Sequence, residues 1–264
     1  MVDLSMFSLK GKKALVTGAA GGIGKAGALA MARAGADVAV IDLKEEWGLQ
    51  TVEEIKKLGR NSIFIKADLT KIDQVEMMVK RVVETFGRLD IAFNNAGIMV
   101  GSSDPTIEDV ALDNWKKIID VDLNAVFYCC REEAKYMIAQ KSGVIINTAS
   151  MSGTIVNNIK KFGSGFVAYC AAKAGVKHLT KALAVEWVKH NIRVNSISPG
   201  YVITPMSQPV QENEELLNHE NLTTPMHRQA TAEEMAGGIV YLASDSASYT
   251  TGHDLIMDGG HTAW

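Results

Sequence analysis

Three cysteines, five prolines, an aromatic share of 6% and no unbroken apolar run of 18 residues are the scarcities of this 264-residue chain. Cys129 and Cys130 are neighbours, and neighbours make a poor bridge. An odd cysteine count suits a reducing compartment. No Cys/His spacing suggests a metal centre, so no metal is expected. Cys170, beside Tyr169, reads as a packed thiol. The lack of a long apolar run excludes a membrane-spanning helix. Charge is nearly balanced at −3, which gives no reason to expect nucleic acid or an anionic membrane as partner. The opening "MVDLSMFSLKGKK" carries an early acid and no apolar signal core, so a cytoplasmic location is expected. No repeats, low-complexity tracts or Pro/Gly/Ser linkers divide the chain, and residues 1–264 read as one domain.

What is present is a regular alternation. "KALVT" (13–17), "DVAVI" (37–41), "SIFIK" (62–66), "DIAFN" (90–94), "GVIINT" (143–148), "IRVNSI" (192–197) and "DLIM" (254–257) are short apolar runs. Such runs suit strands covered on both faces. Helical patterns lie between them at about 22–34, 45–58, 71–87, 113–140, 168–190 and 231–243. This order predicts an α/β fold with a parallel, doubly wound sheet and right-handed crossovers. Residues 200–230 are polar and lack clear periodicity, and read as an irregular flap over a site.

The first strand runs directly into "TGAAGGIG". Gly18, Gly22 and Gly24 form a G-x-x-x-G-x-G loop that opens a helix. Glycines there permit a tight turn and close approach of a pyrophosphate to backbone N–H groups at a helix start. Asp42 ends the second strand. Its carboxylate either accepts hydrogen bonds from adenosine ribose hydroxyls or caps the next helix. The same charge repels a 2′-phosphate, and no Arg or Lys adjoins Gly22, so NAD is favoured over NADP. Lys44 is the one nearby cation that would help NADP. Asp68 either receives an adenine amino group or caps the helix near Lys71. "NNAG" (94–97) either ties strand ends to the glycine loop or forms an Asx turn.

Tyr169 and Lys173, spaced i, i+4, share one helix face. A free phenol ionises near pH ~10, and a nearby ammonium is expected to make it more acidic. The pair is then a proton donor to a carbonyl or a base toward an alcohol. Ser150 follows the fifth strand and can stabilise charge on the substrate oxygen. Asn124, in "VDLNAVF", can hold a water linking Lys173 to solvent. Each has an ordinary structural reading alone; together with the glycine loop they describe a carbonyl/alcohol hydride-transfer site.

The ordered set "TGAAGGIG", "NNAG", Asn124, Ser150, "YCAAK" (169–173), "RVNSISPG" (193–200) and "YTTGHDLIMDGG" (249–260) resembles the short-chain dehydrogenase/reductase family over nearly the whole chain. The resemblance implies a Rossmann fold with a seven-stranded sheet, and a catalytic tetrad of Asn124, Ser150, Tyr169 and Lys173. It implies cofactor contacts from Gly18, Gly22, Ile23 and Gly24, from Asp42 and Leu43, and from Asp68 and Leu69. Asn95, Ala96 and Gly97 follow, with Tyr169 and Lys173 at the nicotinamide ribose, and Pro199, Gly200, Val202 and Thr204 around the nicotinamide. Homotetramers built through helices 113–140 and 168–190 are expected on the same ground.

The stretch between Ser150 and Tyr169 is longer than the family usually shows. Ser152 and Ser164 therefore compete for the serine role, and the extra residues around "NIKKFGSGF" are expected to bulge. The chain looks like the family's polyol and sugar branch, which includes mannitol, galactitol and xylitol dehydrogenases and sorbose reductases. Ser152, Asn157, Asn158 and Tyr201 are candidate substrate contacts. The function expected is NAD-dependent hydride exchange with a secondary alcohol or ketone, most naturally a polyol or sugar. A 3-oxoacyl-thioester or steroid reductase on the same scaffold is the alternative. A catalytically silent nucleotide sensor is the distant one.

Overall fold

Alternation along each strand decides which way the helices lie. In the computed structural model, which describes residues 4–99, 107–157 and 166–264, six strands run in chain order. They are β1 (Lys13–Thr17), β2 (Asp37–Asp42), β3 (Ser62–Lys66), β4 (Ile91–Asn94), β5 (Gly143–Thr148) and β6 (Ile192–Pro199). Two short strands, β7 (Val202–Ile203) and β8 (Ala230–Thr231), pair with each other, and β9 (Asp254–Met257) closes the main sheet. The sheet has seven parallel strands in the order β3-β2-β1-β4-β5-β6-β9.

Ala14, Val16, Val38, Val40, Ile91 and Phe93 point to one face. They pack with α1 (Gly22–Arg33), α2 (Glu45–Lys57) and a later helix at 236–243. Leu15, Ala39, Ile41, Ala92 and Ile145 point to the other. That face is covered by α3 (Ile72–Phe86) and by helices at 125–140 and 166–187. Both faces of every central strand are thus dry, and the strands read as continuous apolar runs for that reason. Among the described residues no helix is long and apolar enough to cross a membrane.

The helical pattern at 113–140 is not one α-helix. It is α4 (Leu112–Ile119), a wide π-helical turn over Asp120–Asn124, and α5 (Ala125–Gln140). One residue more per turn rotates the side chains that follow, and such turns recur at functional sites. Then come α6 (Phe166–Trp187), α7 (Gln208–Gln211), α8 (Glu214–Thr223) and α9 (Ala236–Ala243). The flap is therefore not irregular. Asn213 caps α8, its Oδ1 accepting the Leu216 N–H at 3.1 Å, and Glu214 and Glu215 occupy the first turn. Glu220 is its one buried residue. A helix whose one buried residue is an acid has no apolar stripe to display, so its periodicity is weak.

Candidate active site

Chain order reverses between β1 and β4, and the strand ends there leave a crevice. A cavity of about 980 Å³ opens along it, bounded by the glycine loop, the ends of β2 to β6, the π turn and the flap. Of the site residues named from the sequence, all but Gly24 and Asn124 line it among the described residues. Asn158 and Ser164, like the rest of 158–165, lie outside the described residues.

Gly24 is not a lining residue because it sits beneath the loop. A Cβ there would lie 2.2 Å from the Gly18 carbonyl oxygen and 2.5 Å from Asn95 Nδ2. Gly18 itself has φ +65°, the left-handed region. The N-cap of α1 is Gly21, which has no side chain with which to cap it, so the helix start is left open for another acceptor. A pyrophosphate fits this cradle on geometry and dipole alike.

Asp42 does not cap α2 by the usual contact; the N-cap of α2 is Lys44, which makes no side-chain cap. Its Oδ2 accepts the Ala20 N–H and its Oδ1 the Lys44 N–H, both at 2.9 Å. The carboxylate thus pins the glycine loop to the end of β2 and faces the cavity. Lys44 is turned onto the Trp47 ring, 4.3 Å from its centroid. Asp68 forms an Asx turn, with Oδ1 accepting both the N–H (3.0 Å) and the hydroxyl (2.7 Å) of Thr70. Asn95 is the tie expected of it. Its N–H donates to Thr17 Oγ1 (2.9 Å), its Nδ2 to the Thr17 carbonyl (3.2 Å), and its Oδ1 accepts from Thr148 Oγ1 (3.4 Å).

Ser150, Tyr169 and Lys173 come together at the deep end. Ser150 follows β5, is buried, and its Oγ accepts the Ser152 N–H at 3.1 Å. Its hydroxyl also favours the ionised form of the Tyr169 phenol. Tyr169 stacks on Phe166 with centroids 5.8 Å apart. Lys173, 3% exposed, donates to the Thr148 carbonyl at 3.0 Å and lies 5.6 Å from the Tyr169 ring centroid.

Asn124 is not part of this group. Its Nδ2 donates to Asp120 Oδ1 at 2.8 Å, one turn back on the same helix. The π turn instead carries Asp122 inward. Asp122 is fully buried, its Oδ1 accepts the Ile98 N–H at 2.8 Å, and its Oδ2 lies 3.4 Å from Lys173 Nζ. A search for an amide beside Lys173 passes over it. The signal that could have found it is an acid flanked by apolar residues within a helical run, a position that demands a buried partner.

The charges differ from the sequence expectation as well. Burial pushes the Tyr169 phenol above its usual value; Lys173 and the Ser150 hydroxyl pull it down, and Asp122 and Cys170 push it further up. The net direction is upward, so the ammonium does not make this phenol more acidic than a free one in the protein alone. Burial opposes the charge on Lys173, but Asp122 and Tyr169 hold it, and its value is raised. Burial likewise lifts Asp122 above the usual carboxylate range, against the pull of Lys173 and the Ile98 N–H.

Toward the flap, Ser152 and Asn157 are buried, and Asn157 Oδ1 faces His261 Nε2 at 3.2 Å. His261 packs edge-on to Tyr201, with centroids 5.2 Å apart. Glu220 on α8, absent from the sequence-based set, also lines the cavity and accepts from Gln229 Nε2. Burial pushes its carboxyl up to about 7.

Comparison with known proteins agrees with this geometry. The family described as Enoyl-(Acyl carrier protein) reductase matches residues 18–262. A cyclohexanol dehydrogenase of Acinetobacter sp. is 41% identical over 253 residues, 96% of this chain and 95% of that protein. An NADP-dependent mannitol dehydrogenase of Alternaria alternata is 39% identical over 260 residues, 97% and 94% respectively. A short-chain type dehydrogenase/reductase from Mycobacterium marinum superposes with a TM-score of 0.92 at 40% identity, covering 99% of each chain. With the family model spanning residues 18–262 and relatives at 39–41% identity covering nearly the whole chain, the chain belongs to the short-chain dehydrogenase/reductase family.

Proposed function

We propose that the protein is an NAD-dependent oxidoreductase that interconverts a secondary alcohol and a ketone, with a polyol or sugar as substrate. The observation that carries this reading is the convergence of Ser150, Tyr169 and Lys173 on one cavity with the glycine loop. The nicotinamide, when bound, supplies or accepts the hydride at the substrate carbon. The chain does the rest. Tyr169 gives its phenolic proton to the carbonyl oxygen in reduction, or takes the hydroxyl proton in oxidation. Ser150 donates to the same oxygen as charge develops there. Lys173 holds a positive charge behind the phenol and reaches the ribose side of the cavity.

Support for NAD is the placement of Asp42. Its oxygens are fixed by two backbone N–H groups at the adenosine end, where a 2′-phosphate would meet a carboxylate. Lys44, the cation that lines this end of the cavity, is engaged with Trp47. The mannitol relative is NADP-dependent by name, so the coenzyme comparison is the first measurement to make. Support for a hydroxylated substrate is the polar wall of Ser152, Asn157 and Glu220. The two named relatives act on a polyol and a cyclic secondary alcohol, and both substrates present the CH–OH unit this site would read.

The test is a steady-state screen with NAD⁺ and NADP⁺ against polyols, sugars, cyclohexanol, hydroxysteroids and 3-hydroxyacyl thioesters. Turnover of polyols with NAD⁺ at a kcat/KM at least tenfold above NADP⁺ is expected. Preference for an acyl thioester or for NADP⁺ would replace that part of the reading. Tyr169→Phe should bind dinucleotide normally and lose turnover by ~10²–10⁴-fold; undiminished turnover would remove the proton-transfer role.

A further inference from the structure

The deep wall of the cavity holds an acid where the sequence led one to expect an amide. Asp122 and Lys173 are 0% and 3% exposed and face each other at 3.4 Å. Gly97 leaves them room: a Cβ there would lie 3.3 Å from both Asp122 Oδ2 and Lys173 Nζ. Apart from that ammonium, Asp122 Oδ2 is buried with no hydrogen-bond partner. An ion this deep persists only when paired. An amide at this position would accept the Ile98 N–H just as well, so what the carboxylate adds is its charge.

The consequence reaches Tyr169. An ammonium alone beside a phenol favours the phenolate; an ammonium with a carboxylate against it presents a dipole, whose influence is weaker. We propose that Asp122 is a positioning residue that fixes Lys173 by ion pairing and offsets its charge, so that Tyr169 is a weaker acid than the lysine alone would make it. This rests on the proposed role of Tyr169 as the proton-transfer group.

The other charged groups around the phenol do not supply this effect. On α6 the neighbour is Cys170, whose thiol burial pushes up and so holds neutral. Across the cavity stand Asp113, Lys116, Lys117 and Asp120, two acids and two bases, from α4 and the start of the π turn. Asp42, Lys44 and Asp68 line the adenosine end. Glu220 on α8 changes charge near neutrality, well below the ionisation of the phenol, and so gives a separate limb in any pH profile.

The test reads the phenol directly. Tyrosinate absorbance is titrated in the cofactor-free protein, with Tyr169→Phe subtracted, for wild type, Asp122→Asn and Asp122→Ser. The midpoint for residue 169 should fall by on the order of one pH unit in both variants. The alkaline limb of kcat/KM for alcohol oxidation should move the same way. A midpoint that stays or rises in variants that still bind dinucleotide overturns the proposal. Retained turnover in Tyr169→Phe would instead sink the proposed function, and the titration would stand by itself.

Discussion

Two buried carboxyls, Asp122 and Glu133, meet the same loss of solvent with different partners. Asp122, on the π turn, faces a full cation in Lys173. Glu133, on α5, meets one amide, with the buried thiols of Cys129 and Cys130 nearby. Its Oε2 accepts from Asn94 Nδ2 at 3.0 Å, and its Oε1 is buried without a partner. Asn94 continues to Asn147 Oδ1 (3.2 Å), and Asn147 to Thr180 Oγ1 (3.0 Å). Burial pushes Glu133 up to about 8, because one amide N–H offsets little of the lost hydration. The contrast shows that depth alone does not make a carboxyl a charge. A cation partner does, and in this protein the partnered acid lines the cavity while the unpartnered one sits in the wall behind it.

Breaking the first pair should have the largest effect. Lys173→Met leaves Asp122 buried without its cation and is expected to cost about 3–5 kcal/mol of unfolding free energy, measured by urea denaturation. Adding Asp122→Asn should recover part of that loss. If Lys173→Met alone leaves stability untouched, the two residues do not form a working ion pair.

The second carboxyl makes a smaller, pH-dependent contribution. Glu133 has an unfolded value of 4.5 and a folded value near 8. Between those values the folded state holds a proton that the unfolded state has released, so stability falls as pH rises from about 4.5 to 8 and levels off above. Glu133→Gln, which keeps the acceptor and cannot ionise, should remove that slope. Relative to wild type it should gain on the order of a few kcal/mol at pH 9 and little at pH 4.5, followed by melting temperature across the range. A slope equal to wild type would mean that Glu133 is ionised in the fold.

The smallest effect is expected next door. Glu132 is also buried, but it pairs with Lys135 and Arg131, both of which are about half exposed. Glu132→Gln releases those cations to water rather than stranding them, and should change stability by less than ~1 kcal/mol. A loss as large as that of Lys173→Met would make this pair structural.

Much of this was readable in advance, and the residues show why. The central strands appear as apolar runs because helices cover both faces, a pattern that each of those runs carries within five or six residues. Tyr169 and Lys173 share a face because α-helical spacing is local, and Gly18, Gly22 and Gly24 mark a turn that other residues cannot make so tightly. Helix α8 was hidden because it packs by a cap and one buried acid rather than by an apolar stripe. That Asp122 rather than Asn124 turns toward Lys173 depends on the π turn, which leaves no mark in the sequence.

By itself, then, the chain's local chemistry determined the order of strands and helices, the glycine cradle and the Ser–Tyr–Lys group, since each depends on neighbours within a turn or two. Only the tertiary structure decided that an acid rather than an amide stands behind Lys173, and that the net pull on the Tyr169 phenol is upward. Both depend on desolvation and on charges brought together from separate elements, and neither quantity has a value until the chain is packed.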